Sequence, residues 1–220
     1  MMGVMQAMNS VSLVHVSKSF GRTAVLQDLS ISFTSGQIHG IVGRNGSGKT
    51  VLFKLITGLI AADSGMIEVE GTYITPRHPR VPGGIGAIVE SPGFLPHYSG
   101  YRNLALLATI RRTLTSEQIQ AAMRIVGLDP TLRRHVRAYS MGMRQRLGIA
   151  QAIMERPSLL ILDEPMNGLD NTGVRDMREL FLNLNAQGMT ILLASHNRED
   201  IEVLCNHVYQ MDAGQIAQVR

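Results

Sequence analysis

A glycine-rich segment with a fixed pattern of polar residues constrains this 220-residue chain more than any other feature. It follows the short apolar run Ile38–Val42, which is typical of a buried strand, and it precedes a stretch with helical spacing. A strand, a glycine-rich turn and a helix in this order form a backbone cradle whose N–H groups bind phosphate. The pattern G-x-x-x-x-G-K-[ST] is matched by Gly43, Arg44, Asn45, Gly46, Ser47, Gly48, Lys49 and Thr50.

The residue types of this segment suit a nucleotide bound together with Mg²⁺. The glycines let the backbone approach the phosphates because they carry no side chain. Lys49 is expected to bring a positive charge to the β- and γ-phosphates, and Thr50 to place its hydroxyl beside Mg²⁺. All eight residues of the segment are therefore predicted to bind nucleotide.

Two further polar clusters follow apolar runs of strand length. Leu159–Leu162 ends at Asp163 and Glu164, and 190–194 is followed by Ser195 and His196. Ligands bind at the carboxyl ends of the strands in open parallel sheets. Asp163 is thus a predicted Mg²⁺ carboxylate, Glu164 a predicted general base for an attacking water, and His196 a candidate hydrogen-bond partner of the γ-phosphate.

The segment 139–143, Tyr-Ser-Met-Gly-Met, precedes the Asp163–Glu164 pair and begins a predicted helix. Ser140 is a good helix N-cap, and Gly142 leaves room for a phosphate at the first helical turn. Together with the phosphate loop, this order of motifs resembles the ATP-binding subunit of an ABC transporter, from about Val11 to the C-terminus. The resemblance identifies 139–143 with the family's signature L-S-G-G-Q, from which Tyr139, Met141 and Met143 depart.

The resemblance implies ATP as the nucleotide and a head-to-tail dimer as the working form. In the family, the signature helix of one subunit closes over the ATP held by the other, so Ser140 and Gly142 would contact the second copy's nucleotide. The partner would be a second copy of this chain or a paralogous ATPase subunit. Asn167–Asp170 matches the dimer-contacting loop, Phe20 the aromatic residue that stacks on adenine, and His196 the switch histidine.

Glu90 departs from the glutamine that the family carries after the strand predicted at 85–89. That glutamine contacts Mg²⁺ or the attacking water and passes movement to the membrane subunit. ATPases of lantibiotic and bacitracin exporters often carry glutamate there, followed by a similar run that here is Pro92, Phe94, Tyr101, Asn103 and Leu104. Glu90 is therefore a predicted metal contact and favours a peptide exporter, with neutral drift as the alternative.

Alternation of short apolar strands with helices predicts an α/β fold with a mostly parallel sheet covered on both faces. With the resemblance, the fold is a P-loop NTPase with N-terminal antiparallel strands and an inserted helical subdomain at about 95–155. Helices are predicted at 51–58, 103–112, 116–126, 141–155, 172–185 and 197–204. Residues 1–10 are interpreted as a flexible extension and 11–220 as one ATPase domain.

The composition restricts where the protein works and what it binds. Apolar runs such as 104–110 are much shorter than the ~18 residues of a membrane-spanning helix, and residues 1–10 carry no basic residue of a secretory signal. A single cysteine, Cys205, excludes an internal disulfide. Together with these observations, the resemblance implies a cytoplasmic subunit, peripheral on the inner face of the cell membrane, that works through transmembrane permease subunits.

Nine arginines concentrate charge in the helical block, against two acids, Glu117 and Asp129. A solvated helical face is the simplest interpretation, because no aromatic residues interleave as base-stacking groups, and no nucleic-acid partner is expected. A subunit of an ABC importer and a soluble ABC ATPase that acts on ribosomes or DNA remain alternatives to the exporter. The arginines are at 102, 111, 112, 124, 133, 134, 137, 144 and 146.

Overall fold

A computed structural model describes residues 9–111 and 114–220. Ten strands are described in these residues: β1 Asn9–Phe20, β2 Thr23–Thr34, β3 Ile38–Val42, β4 Ser64–Val69, β5 Thr72–Ile74, β6 Ile85–Ile88, β7 Leu159–Asp163, β8 Thr190–Ala194, β9 His207–Asp212 and β10 Gln215–Gln218. The helices there are α1 Lys49–Ile56, α2 Gly100–Arg111, α3 Ser116–Ile125, α4 Met141–Ile153, α5 Asn171–Ala186 and α6 Arg198–Leu204, with a 3-10 turn at Val136–Ala138.

The central sheet has six strands in the order β10-β9-β3-β8-β7-β6. All adjacent pairs from β9 to β6 are parallel, and only the edge strand β10 runs antiparallel to its neighbour among the described pairs. The prediction of a mostly parallel α/β core is therefore confirmed. Parallel pairing brings the carboxyl ends of β3, β8, β7 and β6 to one edge of the sheet, where the polar clusters follow.

Both faces of this sheet are covered, which explains the uninterrupted apolar runs of its strands. Side chains alternate along β7, so Leu159 and Ile161 enter one core layer while Leu160 and Leu162 enter the other. The first layer lies under α1 and the antiparallel sheet β2-β1-β4-β5. The second layer lies under helices, including α4 and α5.

The helical block between β6 and β7 consists of α2, α3 and α4, which share the second core layer. Leu104, Met123 and Leu147 are fully buried there, one from each helix. Thr115 caps α3: its hydroxyl accepts from Gln118 N while the Gln118 side chain accepts from Thr115 N. This reciprocal capping box fixes the start of α3 at Ser116, which is the predicted first residue of the helix.

The differences from the predicted elements are small and local. α1 begins at Lys49, two residues before the predicted start, because the phosphate loop leads directly into its first turn. The strands β5 and β10 were not predicted, since they are only three and four residues long. Residues 1–8 of the predicted extension and Arg112, the predicted end of α2, lie outside the described residues.

No helix in the described ranges is both long and apolar enough to cross a membrane.

His39 is a fully buried polar residue in the middle of the sheet. Its Nε2 donates to the Thr34 carbonyl oxygen at 2.8 Å, and its Nδ1 lies 3.4 Å from the Tyr209 hydroxyl. The His207 ring stacks on it with centroids 5.2 Å apart. Burial, and to a smaller extent the neighbouring His207, lowers the pKa of His39 from 6.5 to about 4, against the hydrogen bond to Thr34, which raises the pKa. The imidazole is therefore neutral at physiological pH.

The stability of the fold should decrease as the pH falls from 6.5 toward 4. In this window the unfolded chain protonates His39 and the folded chain does not, so the unfolded state binds more protons. The slope from this residue is at most about 1.4 kcal/mol per pH unit. Urea unfolding of His39→Gln between pH 4 and 7 should show a reduced slope, with exposed His97→Gln as the control. An unchanged slope in His39→Gln would contradict this explanation.

Candidate functional site

A cleft of about 590 Å³ lies at the carboxyl edge of the central sheet. Its walls come from the phosphate loop and α1, from the residues after β6 and β7, and from the start of α4. The predicted site residues that line it are Asn45, Gly46, Gly48, Lys49, Thr50, Glu90, Asp163 and Glu164. The tertiary structure thus brings together three polar clusters that are far apart in the chain.

The phosphate loop needs glycine for its own packing as well as for ligand access. Gly46 and Gly48 have φ angles of 81° and 109°, in the left-handed region that favours glycine. A Cβ at Gly43 would lie 2.3 Å from the backbone oxygen of Met211 on β9. The loop is therefore held close against the neighbouring strand before any ligand binds.

Two buried polar groups inside the loop fit an anionic ligand. Lys49 is 8% exposed, and its Nζ donates to the carbonyls of Gly43 at 2.8 Å and Arg44 at 3.1 Å. An ammonium group has three N–H donors, so one remains for a ligand. Ser47 Oγ is the one buried side-chain polar atom without a hydrogen-bond partner in the described part of the chain. A phosphate oxygen would satisfy such groups, which are costly to bury alone.

Thr50 and Asp163 form the part of the cleft that fits a divalent cation. Thr50 Oγ1 donates to Asp163 Oδ2 at 2.6 Å, which joins the first turn of α1 to the end of β7. A hydroxyl and a carboxylate are the oxygen ligands that Mg²⁺ prefers. Both side chains line the cleft beside Lys49.

Glu164 and His196 meet at the ends of two adjacent strands, β7 and β8. Glu164 Oε2 lies 2.8 Å from His196 Nδ1, and the Glu164 side chain is 25% exposed. The Glu164 backbone has φ of 52° and is fixed by its N–H, which donates to the Ala194 carbonyl at 2.9 Å. A non-glycine residue held in this sparsely populated region is typical of functional sites. The arrangement aims a carboxylate into the cleft and gives it a hydrogen-bonding neighbour.

Glu90 lines the same cleft, but its carboxylate is engaged by a residue that the sequence did not single out. Lys54 Nζ donates to Glu90 Oε1 at 2.7 Å. Lys54 lies four residues after Thr50 on α1, so helical spacing places the two side chains on one face. That spacing was readable in the sequence. The pairing of Lys54 with Glu90, 36 residues away, could not be predicted from the sequence.

The signature segment packs against the loop that follows Asp163 and Glu164. Ser140 caps α4, with its hydroxyl accepting from Met143 N at 3.2 Å, which confirms the expected N-cap. A Cβ at Gly142 would lie 2.9 Å from the carbonyl oxygen of Gly168. Asp170 caps α5 by accepting from Gly173 N at 2.9 Å. In this chain, Ser140 and Gly142 therefore support local structure and do not line the cleft, among the described lining residues.

Other predicted site residues lie outside the cleft. Phe20 is 51% exposed at the end of β1, and Lys18 Nζ lies 5.3 Å from the centre of its ring. Gly43, Arg44 and His196 line a second cavity of about 520 Å³, which lies between the loop, α6 and β9. These residues therefore lie outside the cleft that Thr50 and Asp163 line, and His196 reaches it only through its 2.8 Å contact with Glu164.

Comparison with known proteins places this arrangement in a family. The ABC transporter family matches residues 26–167, which include the phosphate loop, the signature segment and the Asp163–Glu164 pair. The chain belongs to the ABC transporter family, and the resemblance seen in the sequence is confirmed.

Relatives and solved structures extend the match over nearly the whole chain. The ABC transporter ATP-binding protein YdbJ of Bacillus subtilis is 39% identical over 91% of this chain and 66% of its own length. The bacitracin transport ATP-binding protein BcrA of Enterococcus faecalis is 36% identical over 93% and 67%. The lantibiotic transport ATP-binding protein SrtF of Streptococcus pyogenes is 34% identical over 94% and 88%. This chain thus spans about two thirds of YdbJ and BcrA.

The fold also matches a crystallised ATP-binding cassette. A nucleotide-free cassette from an ABC transporter superposes with a TM-score of 0.83 at 26% identity and covers 97% of this chain and 92% of that one. The P-loop NTPase architecture is therefore confirmed.

Gly43→Ala should destabilise the protein even without nucleotide. The new Cβ would meet the backbone of β9, and overpacking of this kind costs about 1–3 kcal/mol. The free energy of unfolding in urea, measured without nucleotide, tests this. Gly83→Ala is the control, because a Cβ there meets nothing within 4 Å. Equal stability of the two variants would show that Gly43 matters only for phosphate access.

Proposed function

We propose that this chain is the ATP-hydrolysing subunit of an ABC exporter that removes a peptide or drug through separate membrane subunits. The observation that carries the hydrolytic part is the position of Glu164 beside the Thr50–Asp163 pair in one cleft, with His196 in contact with Glu164 at 2.8 Å from outside the cleft lining. The phosphate loop forms the adjacent wall. Nucleotide, metal and attacking water would thus meet at one edge of the sheet.

The phosphate loop binds the nucleotide in this proposal. Backbone N–H groups of 43–50 and the N-terminus of α1 face the phosphates, and Lys49 uses its remaining N–H for the β- and γ-phosphates. Thr50 and Asp163 hold Mg²⁺, which when bound neutralises charge on the phosphate oxygens. Phe20 stacks on the adenine ring, which requires the Lys18 side chain to share or leave that ring.

Glu164 acts as the general base for hydrolysis. Its carboxylate takes a proton from a water molecule as the water oxygen bonds to the γ-phosphorus, and the bond from that phosphorus to the β–γ bridging oxygen breaks. ADP and inorganic phosphate are the products. His196 orients the Glu164 carboxylate through the 2.8 Å contact and turns to the γ-phosphate when ATP binds.

A second copy of the chain, or a paralogous subunit, completes the site. Ser140 and Met141 are exposed at the N-terminus of α4, where backbone N–H groups attract phosphate. A head-to-tail dimer with two-fold symmetry would place these groups of one subunit over the ATP of the other. Asn167–Asp170, which packs against Gly142, would lie in the same interface.

The relatives and Glu90 support the proposed substrate class and membrane location. BcrA and SrtF are named for bacitracin and lantibiotic transport, and both match more than nine tenths of this chain. We infer a cytoplasmic subunit that docks on permease subunits at the inner face of the cell membrane. An importer subunit is the second candidate, since the contacts described for the cleft are compatible with either direction of transport.

Glu164→Gln should bind Mg²⁺ and ATP but hydrolyse ATP slowly, because the amide cannot accept the water proton. The ATP-bound dimer should then accumulate. Size-exclusion chromatography with and without ATP measures this, with exposed Glu179→Gln as the matched control. A Glu164→Gln variant that turns over ATP like the control would refute the assignment of the base.

Lys49→Ala should reduce ATP turnover by about 10²–10³ or more, since it removes a preorganised charge from the phosphates. Cells that carry this variant should lose peptide resistance and accumulate the peptide, whereas exposed Arg77→Ala should leave both unchanged. Reduced accumulation in Lys49→Ala cells would instead support an importer. Unchanged turnover of the purified variant would contradict the nucleotide site itself.

A further inference from the structure

Two consecutive turns of α1 reach the ends of two neighbouring strands. Thr50 Oγ1 donates to Asp163 Oδ2 at 2.6 Å, and Lys54 Nζ donates to Glu90 Oε1 at 2.7 Å. Asp163 ends β7, and Glu90 lies two residues after β6, the strand paired with β7. The first bond lies at the proposed Mg²⁺ site. The second occupies the other carboxylate that the sequence predicts as a metal contact.

The backbone of Lys54 is fixed, whereas its side chain can dissociate from Glu90. Its carbonyl oxygen ends α1 by accepting from Leu59 N at 2.9 Å and from Ile60 N at 3.3 Å. The side chains of Lys54 and Glu90 are 27% and 61% exposed. Ion pairs with this degree of solvent contact are weak, so a competing cation can displace one.

Glu90 connects the cleft to the helix that carries the signature segment. Its φ of 67° lies in the left-handed region, so its backbone conformation is held by its surroundings. Two residues later, Pro92 packs so tightly on α4 that a Cβ at Gly148 would lie 2.6 Å from its Cγ. A change in the position of Glu90 would therefore be transmitted through Pro92 to α4.

We propose that Lys54 is a positioning residue that holds the Glu90 carboxylate away from the metal until Mg²⁺ and nucleotide compete for it. This proposal rests on the proposed function and adds a way in which Mg²⁺ binding is controlled. Lys54 and Mg²⁺ are alternative cationic partners of one carboxylate. Exchange between them moves the segment 90–92, and with it α4. Lys54 touches neither nucleotide nor water in this scheme.

The Mg²⁺ concentration required for nucleotide binding tests the competition. Thermal unfolding with saturating ADP is followed while Mg²⁺ is titrated, which avoids hydrolysis. Lys54→Met should lower the half-saturating Mg²⁺ concentration by about twofold to fivefold, the factor expected for loss of a weak ion pair. Asp28→Asn is the control, because it breaks a His15–Asp28 pair of the same length, 2.7 Å, that lies outside the cleft lining.

A double variant separates competition for Glu90 from simple charge repulsion. Glu90→Gln should raise the half-saturating Mg²⁺ concentration, and adding Lys54→Met to it should cause no further change. If Lys54→Met lowers the concentration equally in the Glu90→Gln background, the lysine acts only by repelling the metal and the proposal is wrong. Glu199→Gln is the matched control for Glu90→Gln, since Glu199 is 68% exposed and pairs with Arg178 at 2.9 Å.

Hydrogen exchange of the backbone gives a second measurement that needs no metal. Without ligand, amides of 89–95 should exchange faster in Lys54→Met than in wild type or Asp28→Asn. Lys54→Arg keeps the charge, so its exchange rates and its Mg²⁺ dependence should be those of wild type. This variant also covers the case in which Lys54→Met folds poorly. Unchanged exchange and unchanged Mg²⁺ dependence would overturn the proposal while leaving the outcomes for Lys49→Ala and Glu164→Gln intact.

Discussion

Parallel pairing of β3, β8, β7 and β6 is the constraint on which the rest of the site depends. The pairs Ile41 with Ala194, Asp163 with Ala194 and Ile88 with Leu162 align the four carboxyl ends at one edge of the sheet. Each strand then delivers one polar element: the phosphate loop after β3, His196 after β8, Glu164 after β7 and Glu90 after β6. A shift in the register of any pair would separate these groups by several ångströms.

Within this frame, the site is built from groups that are already held in place. The Lys49 ammonium is fixed by two loop carbonyls, Thr50 by Asp163, and Glu164 by a backbone bond to β8. Preorganised groups of this kind need little rearrangement when charge develops in the transition state. Ser47 is the exception, because its buried hydroxyl has no partner in the described structure, and a bound phosphate would supply one.

The parts that change during a cycle are expected where the contacts are weak and solvated. The Lys54–Glu90 pair is partly exposed, and it lies next to a proline that packs tightly on α4. Because the weak ion pair lies beside this tight contact, exchange of Lys54 for another partner of Glu90 would move α4. The signature segment at the start of α4 packs on Gly168, so this movement would also reach the proposed dimer interface.

The sequence alone determined the features that depend on near neighbours in the chain. Short-range spacing and alternation of residues predicted four such features. These are the phosphate loop, the buried run that ends at Asp163 and Glu164, the Ser140 cap, and the order of most strands and helices. Only the tertiary structure decided which distant side chains meet. His196 contacts Glu164, which is 32 residues away in the sequence, and Lys54 contacts Glu90, which is 36 residues away. Phe20 lies outside the cleft. Such contacts depend on strand register and on packing of whole layers, which no local pattern encodes.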